Sequence, residues 1–161
     1  MRYVMNKKAF SLGDSFSIRD EAGADVYTVT GQFFSIGKKF SFQDRAGNEL
    51  AHIEQKLLSW GPTYEIYRDG QLVAVVKKEL FTLFRYAFAI DVPGPNDVEA
   101  VGNFLDTEYE FTCNNQTVAE VSKRWFAWSD SYGVDITDDQ DQVLILASAV
   151  VIEMVCHEGH K

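Results

Sequence analysis

The sequence predicts a mainly β protein: a closed antiparallel β-barrel of about eleven or twelve strands, built from hairpin repeats around an apolar C-terminal α-helix. Two observations predict this fold. A strand-and-turn pattern returns about every two dozen residues, and the chain ends in an apolar run preceded by carboxylates. Because a sheet of so many strands tends to close, and closure removes its exposed edges, we expect a barrel rather than an open sheet.

Each repeat opens with two large apolar side chains two positions apart, of which the first is aromatic. The pairs are Phe16/Ile18, Phe40/Phe42, Tyr64/Ile66, Phe88/Ile90, Tyr109/Phe111 and Tyr132/Val134. Side chains two positions apart lie on the same face of a strand, so this alternation indicates strands with one buried face.

A turn signal follows each of the first five pairs. The turns are expected at residues 20–23, 44–47, 69–70, 93–96 and 114–115, where Asp, Asn, Gly and Pro are frequent. These residue types suit tight hairpins, and Gly and Asn tolerate positive φ. Returning strands are expected at residues 26–29, 50–53, 72–75, 98–101 and 118–121. Five hairpins and a sixth, partial unit account for the predicted number of strands.

The end of the chain departs from the repeat. Three carboxylates, Asp138, Asp139 and Asp141, precede an apolar run at residues 143–152 that only Ser148 interrupts. Carboxylates favour a helix N-terminus by capping it and by opposing its dipole, and an all-round apolar run is typical of a buried helix. The β-branched residues of the run are also compatible with a central strand. Its length and its acidic start favour the helix.

Length and composition fit one globular domain that spans residues 1–161. Apolar residues make up 46% of the chain and charged residues 24%, which is ordinary for such a domain. The formal net charge of −9 opposes non-specific binding to nucleic acid, so no nucleic-acid partner is expected. A local basic patch remains compatible with this charge.

The two cysteines, Cys113 and Cys156, are too few for a disulfide scaffold. The polar and basic start of the chain does not resemble a signal peptide, so we expect a cytoplasmic protein with reduced thiols. The apolar run near the C-terminus is shorter than the roughly 20 residues that cross a bilayer. No transmembrane segment is therefore expected.

The pattern of units resembles the LURP-one-related family, including its uncharacterised bacterial members, within the Tubby C-terminal-like fold. The resemblance depends on residues 16–23 (FSIRDEAG), 26–31 (VYTVTG), 40–47 (FSFQDRAG) and 53–56 (IEQK). It implies the barrel with its central helix and no common catalytic reaction. Tubby domains bind phosphorylated phosphoinositide headgroups, and the related phospholipid scramblases carry a membrane-inserting helix. No ligand motif in this chain matches theirs, so neither role is implied for particular residues.

Basic residues fall in the connections between the predicted hairpins, whereas the hairpin turns are acidic. The candidate anion-binding residues are Lys38, Lys39, Lys56, Lys77, Lys78, Lys123 and Arg124. Antiparallel hairpins place all tight turns at one end of a barrel and all connections at the other. We therefore expect a barrel with one basic end, which binds an anionic group such as a phosphorylated lipid or nucleotide, or which is simply a solvated face with edge-protecting lysines.

Other patterns give no catalytic, cofactor or metal site. Cys156, His157 and His160 are possible metal ligands, but no second ligand cluster completes a tetrahedral site, and a frayed tail from Glu153 onward is expected. His52 alternates with apolar residues on a strand and is expected to be structural or exposed. Ser129, Asp130 and Ser131 are neighbours in sequence without forming a triad. We therefore predict a protein that is not an enzyme and needs no cofactor.

The densest aromatic stretch comprises Trp125, Phe126, Trp128 and Tyr132. It is expected to pack in the core and at the barrel rim, or else to form an exposed recognition surface, since tryptophan is frequent at contact hot spots.

Two functions are compatible with this barrel. The first is a non-enzymatic binding or scaffold module, whose partner is a protein or an anionic phospholipid headgroup. The second is a carrier of a small apolar ligand inside the barrel. A helix that fills the lumen favours the first. A role inside a membrane requires that the helix leave the barrel, which its shortness and the net charge oppose.

Overall fold

The computed structural model describes residues 1–10, 13–32, 37–81, 85–125 and 131–157 of the chain. The elements are β1 (Arg2–Phe10), β2 (Gly13–Arg19), β3 (Asp25–Gln32), β4 (Lys39–Asp44), β5 (Glu49–Gln55), β6 (Thr63–Arg68), β7 (Gln71–Leu80), β8 (Tyr86–Asp91), β9 (Val98–Asn103), β10 (Glu108–Cys113), β11 (Gln116–Ser122), β12 (Ser131–Ile136) and α1 (Gln142–His157).

The twelve strands form one closed barrel in which each strand pairs antiparallel with its neighbours in sequence. The barrel closes where β1 pairs with β12, with Tyr3 opposite Val134 and Met5 opposite Tyr132. This confirms the predicted fold class. The hairpin repeat did not assign β1, although Tyr3 and Met5 repeat the aromatic-and-apolar spacing of the other units and are both buried.

The aromatic pairs that define the repeat point into the barrel. None of the predicted residues, from Phe16 and Ile18 in β2 to Tyr132 and Val134 in β12, is more than 5% exposed. The turns between the strands also have the expected backbone. Gly23 and Gly47 have positive φ, as do both residues of the two-residue turn at Asn114 and Asn115. The alternation of the sequence therefore predicts both the strands and their inward faces.

The interior of the barrel is filled by α1. The Oδ1 atom of Asp141 accepts a hydrogen bond from the backbone amide of Leu144 at 3.2 Å, as expected of a helix cap. The hydroxyl of Ser148, the one polar group within the predicted run, donates to the carbonyl of Leu144 at 2.8 Å. The predicted helix is confirmed and continues beyond Ile152 to His157. In the described chain, no helix is long and apolar enough to cross a membrane.

The two ends of the barrel differ in their connections. The hairpin turns at residues 20–24, 45–48, 69–70, 92–97 and 114–115 lie at one end, the turn end, together with the start of α1. The connections between hairpins, which include residues 56–62, 104–107 and the described residues 81 and 85 between β7 and β8, lie at the other end, the link end. The helix runs from the turn end to the link end, where His157 Nε2 lies 3.2 Å from the carbonyl oxygen of Phe104.

Candidate functional site

The basic residues identified in the sequence all lie at the link end. Lys38 and Lys39 are at the start of β4, Lys56 follows β5, Lys77 and Lys78 are in the second half of β7, and Lys123 and Arg124 follow β11. The grouping is a consequence of topology, because every connection between hairpins returns to this end of the barrel.

The turn end carries the opposite charge. Its carboxylates include Asp20, Glu21, Asp25, Asp44, Asp69, Asp91, Asp97, Asp138, Asp139 and Asp141. Two arginines at this end contact carboxylates, since Arg19 Nε lies 2.9 Å from Asp25 Oδ1 and Arg68 Nη1 lies 2.5 Å from Asp141 Oδ2, whereas Arg45 is exposed in the β4–β5 turn. Charge is therefore separated unevenly along the barrel axis: the link end carries most of the exposed lysines, together with the exposed carboxylates Glu79 and Asp106, and the acidic turns lie at the other end.

Lys77 and Lys78 are adjacent on β7 and therefore face opposite sides of the barrel wall. Lys77 is exposed on the outer face. Lys78 has the same orientation as the buried Ala74 and Val76, and its Nζ lies 4.2 Å from the ring centroid of Tyr86, as in a cation–π contact. The two lysines thus present charge on the outer wall and at the barrel mouth, and they do not form one local pocket.

On the β4–β5 side of the link end, a glutamate partly neutralises the charge of Lys39. Lys39 Nζ lies 3.8 Å from Glu54 Oε1, and the same oxygen lies 2.9 Å from His52 Nε2. His52 is half-buried on the outer wall, where the sequence placed it as a structural or exposed residue. The backbone of Lys38 pairs with Gln55, whereas the side chain of Lys56 is exposed.

Lys123 and Arg124 form a corner that is organised by Glu108. The Oε1 atom of Glu108 accepts hydrogen bonds from Ser122 Oγ at 2.9 Å and from the backbone amide of Lys123 at 3.1 Å, and Arg124 Nε lies 3.5 Å away. Partial burial opposes ionisation of Glu108, but the hydrogen bond from Ser122 and the contacts with Arg124 lower its pKa overall. The Arg124 guanidinium therefore has an internal partner, whereas Lys123 meets Glu108 only through its backbone amide and its side chain is exposed. We call the exposed Lys56 and Lys77, with Lys78 at the mouth, the accessible basic surface.

Aromatic rings on the β8–β10 side of the link-end mouth lie over the end of α1. Phe104 stacks on Tyr86 at 5.3 Å between ring centroids and contacts Phe88 and Tyr109, each at 5.0 Å. His157 Nε2 lies near the Phe104 carbonyl and 3.5 Å from Thr107 Oγ1. These contacts fix the connection at residues 104–107 to the helix and cover the end of α1 on the β8–β10 side of the mouth.

One carboxyl group, that of Glu153, is buried inside the barrel near the link end. Its Oε2 lies 3.6 Å from His157 Nε2. The hydroxyls of Tyr109 and Tyr132 are also buried, and within the described residues they have no hydrogen-bond partner. Burial raises the pKa of Glu153, while the positive charges of His157, Lys7 and Lys123 oppose this shift. Burial and the charge of Glu153 likewise raise the pKa of both tyrosines well above the ordinary value.

Replacement of Glu153 by glutamine is expected to stabilise the protein at neutral pH and to have little effect in acid. Because the pKa of Glu153 is higher in the folded state, the unfolded chain loses this proton first as pH rises, and folding stability falls between the two pKa values. Glu153→Gln removes that loss but keeps the shape of the side chain. The gain, measured as the difference in urea unfolding free energy, should therefore grow as pH rises through this interval. A difference that is the same at every pH would contradict the buried-charge explanation.

The tail of the chain is more ordered than expected. We predicted fraying from Glu153 onward; instead Glu153 to His157 continue α1, because the barrel mouth buries Met154 and Cys156. Burial raises the pKa of the Cys156 thiol to about 11. His160 lies outside the described residues, and among those described no group of three or more His, Cys, Asp or Glu side chains is placed to hold a metal ion.

The aromatic stretch after β11 is only partly described. Tyr132 is buried in the core, and Trp125 is half-buried with the Arg2 guanidinium 4.5 Å from its ring centroid. Phe126 and Trp128 lie outside the described residues, as do Ser129 and Asp130, and their expected roles stay predictions.

A second feature of the link end was missed from the sequence. Several large apolar side chains in consecutive connections are exposed, which we call the apolar arc: Leu57, Leu58, Trp60, Leu80, Phe81 and Leu105. Loop residues have no periodicity from which exposure can be predicted. The available signal was the occurrence of leucine and tryptophan beside Lys56, Gly61 and Pro62, where a connecting segment is usually polar.

Comparisons with known proteins agree with this architecture. The sequence model described as LURP-one-related matches residues 1–153. The uncharacterized protein YxjI of Bacillus subtilis (strain 168) is 36% identical over 153 residues, which cover 95% of this chain and 92% of YxjI. An X-ray structure of a protein from Arabidopsis thaliana superimposes with a TM-score of 0.66 at 16% identity, and covers 94% of this chain and 89% of that one. At that identity the similarity shows the fold alone. The chain belongs to the LURP-one-related family.

Proposed function

We propose that the protein is a non-enzymatic binding module that recognises an anionic, phospholipid-type headgroup through the link end of its barrel. The observation that carries this proposal is the separation of charge along the barrel axis. Lys56 and Lys77 are exposed at the link end, whereas the acidic residues concentrate at the turn end. Although the net charge is −9, an anionic surface that approaches the link end meets the positive side of the molecule first.

The accessible basic surface is spread over several elements. Lys56 follows β5, Lys77 projects from the outer face of β7, and Lys78 lies at the mouth between them and Tyr86. Charges that are spread over a barrel end match a surface of many headgroups better than they match one small anion, which needs converging donors. This arrangement supports a membrane surface over a free nucleotide or a single phosphorylated residue.

The carrier function has less support. A ligand inside the barrel needs the volume that α1 occupies, and Leu146, Ala147, Ala149 and Val150 on different faces of the helix have no exposed surface. The aromatic rings at the mouth cover the same space from the link end. The packing of the helix therefore favours a function on the outer surface.

The proposal is tested by vesicle sedimentation with the whole chain. The wild-type protein should sediment with phosphatidylcholine vesicles that contain phosphatidylglycerol, less so as salt increases, and not with phosphatidylcholine alone. Lys56→Glu/Lys77→Glu should weaken binding by roughly thirtyfold or more, since each basic residue near an anionic surface contributes about 1 kcal/mol and the reversed charges add repulsion.

The control for this double variant is a charge reversal at the opposite end. Arg45 is exposed in the β4–β5 turn, so Arg45→Glu changes the net charge in the same direction without altering the link end. It should bind vesicles almost as the wild type does. If Arg45→Glu lost as much binding per charge as the lysine variant, net charge rather than a basic surface would govern the interaction.

A further inference from the structure

We infer that the apolar arc inserts into the interfacial layer of an anionic bilayer, so that the link end docks by side-chain insertion as well as by charge. This inference rests on the proposed function and specifies how the same end of the barrel contacts its partner. The proposed binding partner of the apolar arc is a phospholipid bilayer that contains anionic lipids.

The arc is unusually exposed. Leu58 is 106% exposed and Trp60 is 102% exposed, so these side chains contact solvent as fully as in an extended chain. In the described parts of the chain, the exposed large apolar side chains outside the arc are Met1 and Leu72, at the turn end, and both are less exposed than Leu58 and Trp60. Scattered apolar residues are ordinary on a surface, whereas a concentration at one end marks an interaction site.

The arc is continuous around one side of the mouth. Its members lie in the connections β5–β6, β7–β8 and β9–β10, or in the case of Leu80 at the end of β7, and these connections follow one another around the barrel. The Lys78 amide donates to the Pro62 carbonyl at 3.1 Å and ties the first connection to β7. Phe81 and Leu105 line one surface groove of about 690 Å³. The exposed side chains therefore belong to one surface.

The β5–β6 connection holds its apolar side chains away from the barrel. Ser59 Oγ lies 3.2 Å from the Lys56 carbonyl and 3.0 Å from the Gly61 carbonyl, which closes a tight loop between them. Leu58 at its tip has a φ of 62°, a conformation that costs a leucine energy. The connection is thus built to present Leu58 and Trp60 outward, without a packing role for either side chain.

The positive charge beside the apolar arc favours an anionic bilayer as its binding partner. Lys56 begins the first connection of the arc, and Lys77 and Lys78 lie in β7 just before the second. These three lysines outnumber the exposed carboxylates beside the arc, Glu79 and Asp106. A bilayer has a matching anionic headgroup layer directly above its apolar layer. Leucine inserts below the headgroups and tryptophan is stable at their level, while lysine remains with the phosphates. A fluid bilayer accepts side chains from separate loops, whereas a protein partner requires a packed, desolvated pocket at each hot spot.

The test uses Trp60 as a reporter in the full-length protein with Trp125→Phe and Trp128→Phe. With vesicles of phosphatidylcholine and phosphatidylglycerol, we expect the emission of Trp60 to shift to the blue and to be quenched by lipids that carry bromine on their acyl chains. Leu58→Ser/Trp60→Ser in the wild-type background should weaken sedimentation at least about tenfold, since burial of even part of two large apolar side chains exceeds one decade of affinity. Leu72→Ser, an exposed leucine at the turn end, is the matched control and should bind as the wild type does.

The outcomes separate the two proposals. Unchanged, salt-sensitive binding by Leu58→Ser/Trp60→Ser, with no quenching of Trp60, would overturn insertion and leave headgroup recognition standing. Failure of the wild type to bind any anionic vesicle would overturn both proposals. Equal binding to phosphatidylcholine with and without phosphatidylglycerol would overturn the headgroup proposal, and quenching of Trp60 would then support insertion alone.

Discussion

A chain that ends before Asp141, and so lacks α1, is expected to show no cooperative thermal transition. The helix supplies the centre of the core. Its large side chains that are no more than 2% exposed are Ile145, Leu146, Val150, Val151, Ile152 and Met154. At about 1.5–3 kcal/mol each, their burial contributes on the order of 10–20 kcal/mol gross, as much as or more than the roughly 5–15 kcal/mol of net stability that is typical of a domain.

The barrel wall cannot compensate for this loss. The inward faces of all strands with described side chains pack against the helix or one another, from Phe16 in β2 to Tyr132 in β12. Without α1 those faces line an empty lumen, and a wall that is only one sheet thick has no second layer against which to bury them. The expected result is an expanded chain with exposed apolar surface rather than a hollow barrel.

A point substitution tests the same claim within the intact chain. Leu146→Asp places a carboxylate where the side chain is completely buried, and should cost more than about 4 kcal/mol of unfolding free energy. Leu72→Asp at the exposed end of β7 is the matched control and should cost about 0.5 kcal/mol or less. Differential scanning calorimetry and urea unfolding measure both effects. A cooperative transition in the truncated chain would show that the barrel is stable without its helix.

The fold followed from the sequence because burial is periodic in its strands. Each aromatic pair, such as Phe16/Ile18 or Phe88/Ile90, marks an inward face directly, and the turns supply residues that accept positive φ. β1 was not assigned because the basic residues Lys7 and Lys8 follow the short apolar alternation of Tyr3 and Met5. Closure of the barrel depends on its pairing with β12, a contact that joins the two ends of the sheet and that local patterns do not encode.

The candidate site was predictable only as far as topology determines it. The grouping of Lys56, Lys77 and Lys123 at one end follows from antiparallel hairpins alone. The ion-pair partner of each basic residue does not follow from topology, because Arg124 after β11 contacts Glu108 in β10, and Lys39 in β4 contacts Glu54 in β5. Exposure in the connections was equally unpredictable, since the burial of Phe104 and the exposure of Leu105 depend on the rings and the helix beneath them.

Gly102→Ala is expected to be the most destabilising single methyl addition among the described glycines. Gly102 in β9 pairs with Tyr109 in β10 at a φ of 143°, which side chains of L-residues rarely adopt. A Cβ at this position would lie 2.6 Å from the Cα of Tyr109 and 2.7 Å from the carbonyl oxygen of Glu108. Because these two clashing atoms belong to the backbone, no rotation of a side chain relieves the contact.

The expected cost of Gly102→Ala is about 3–5 kcal/mol, the combined effect of a strained backbone and an overpacked contact. Gly70→Ala is the matched control, because Gly70 has a φ of 76° but a Cβ there meets nothing within 4 Å. Gly70→Ala should lose only the unfolding free energy that corresponds to backbone strain at positive φ, about 1 kcal/mol. Urea unfolding of both variants separates the two contributions. Equal losses would show that the β9–β10 pair moves apart easily, and the position of Leu105 at the rim, two residues beyond β9, would then not be fixed by this strand pair.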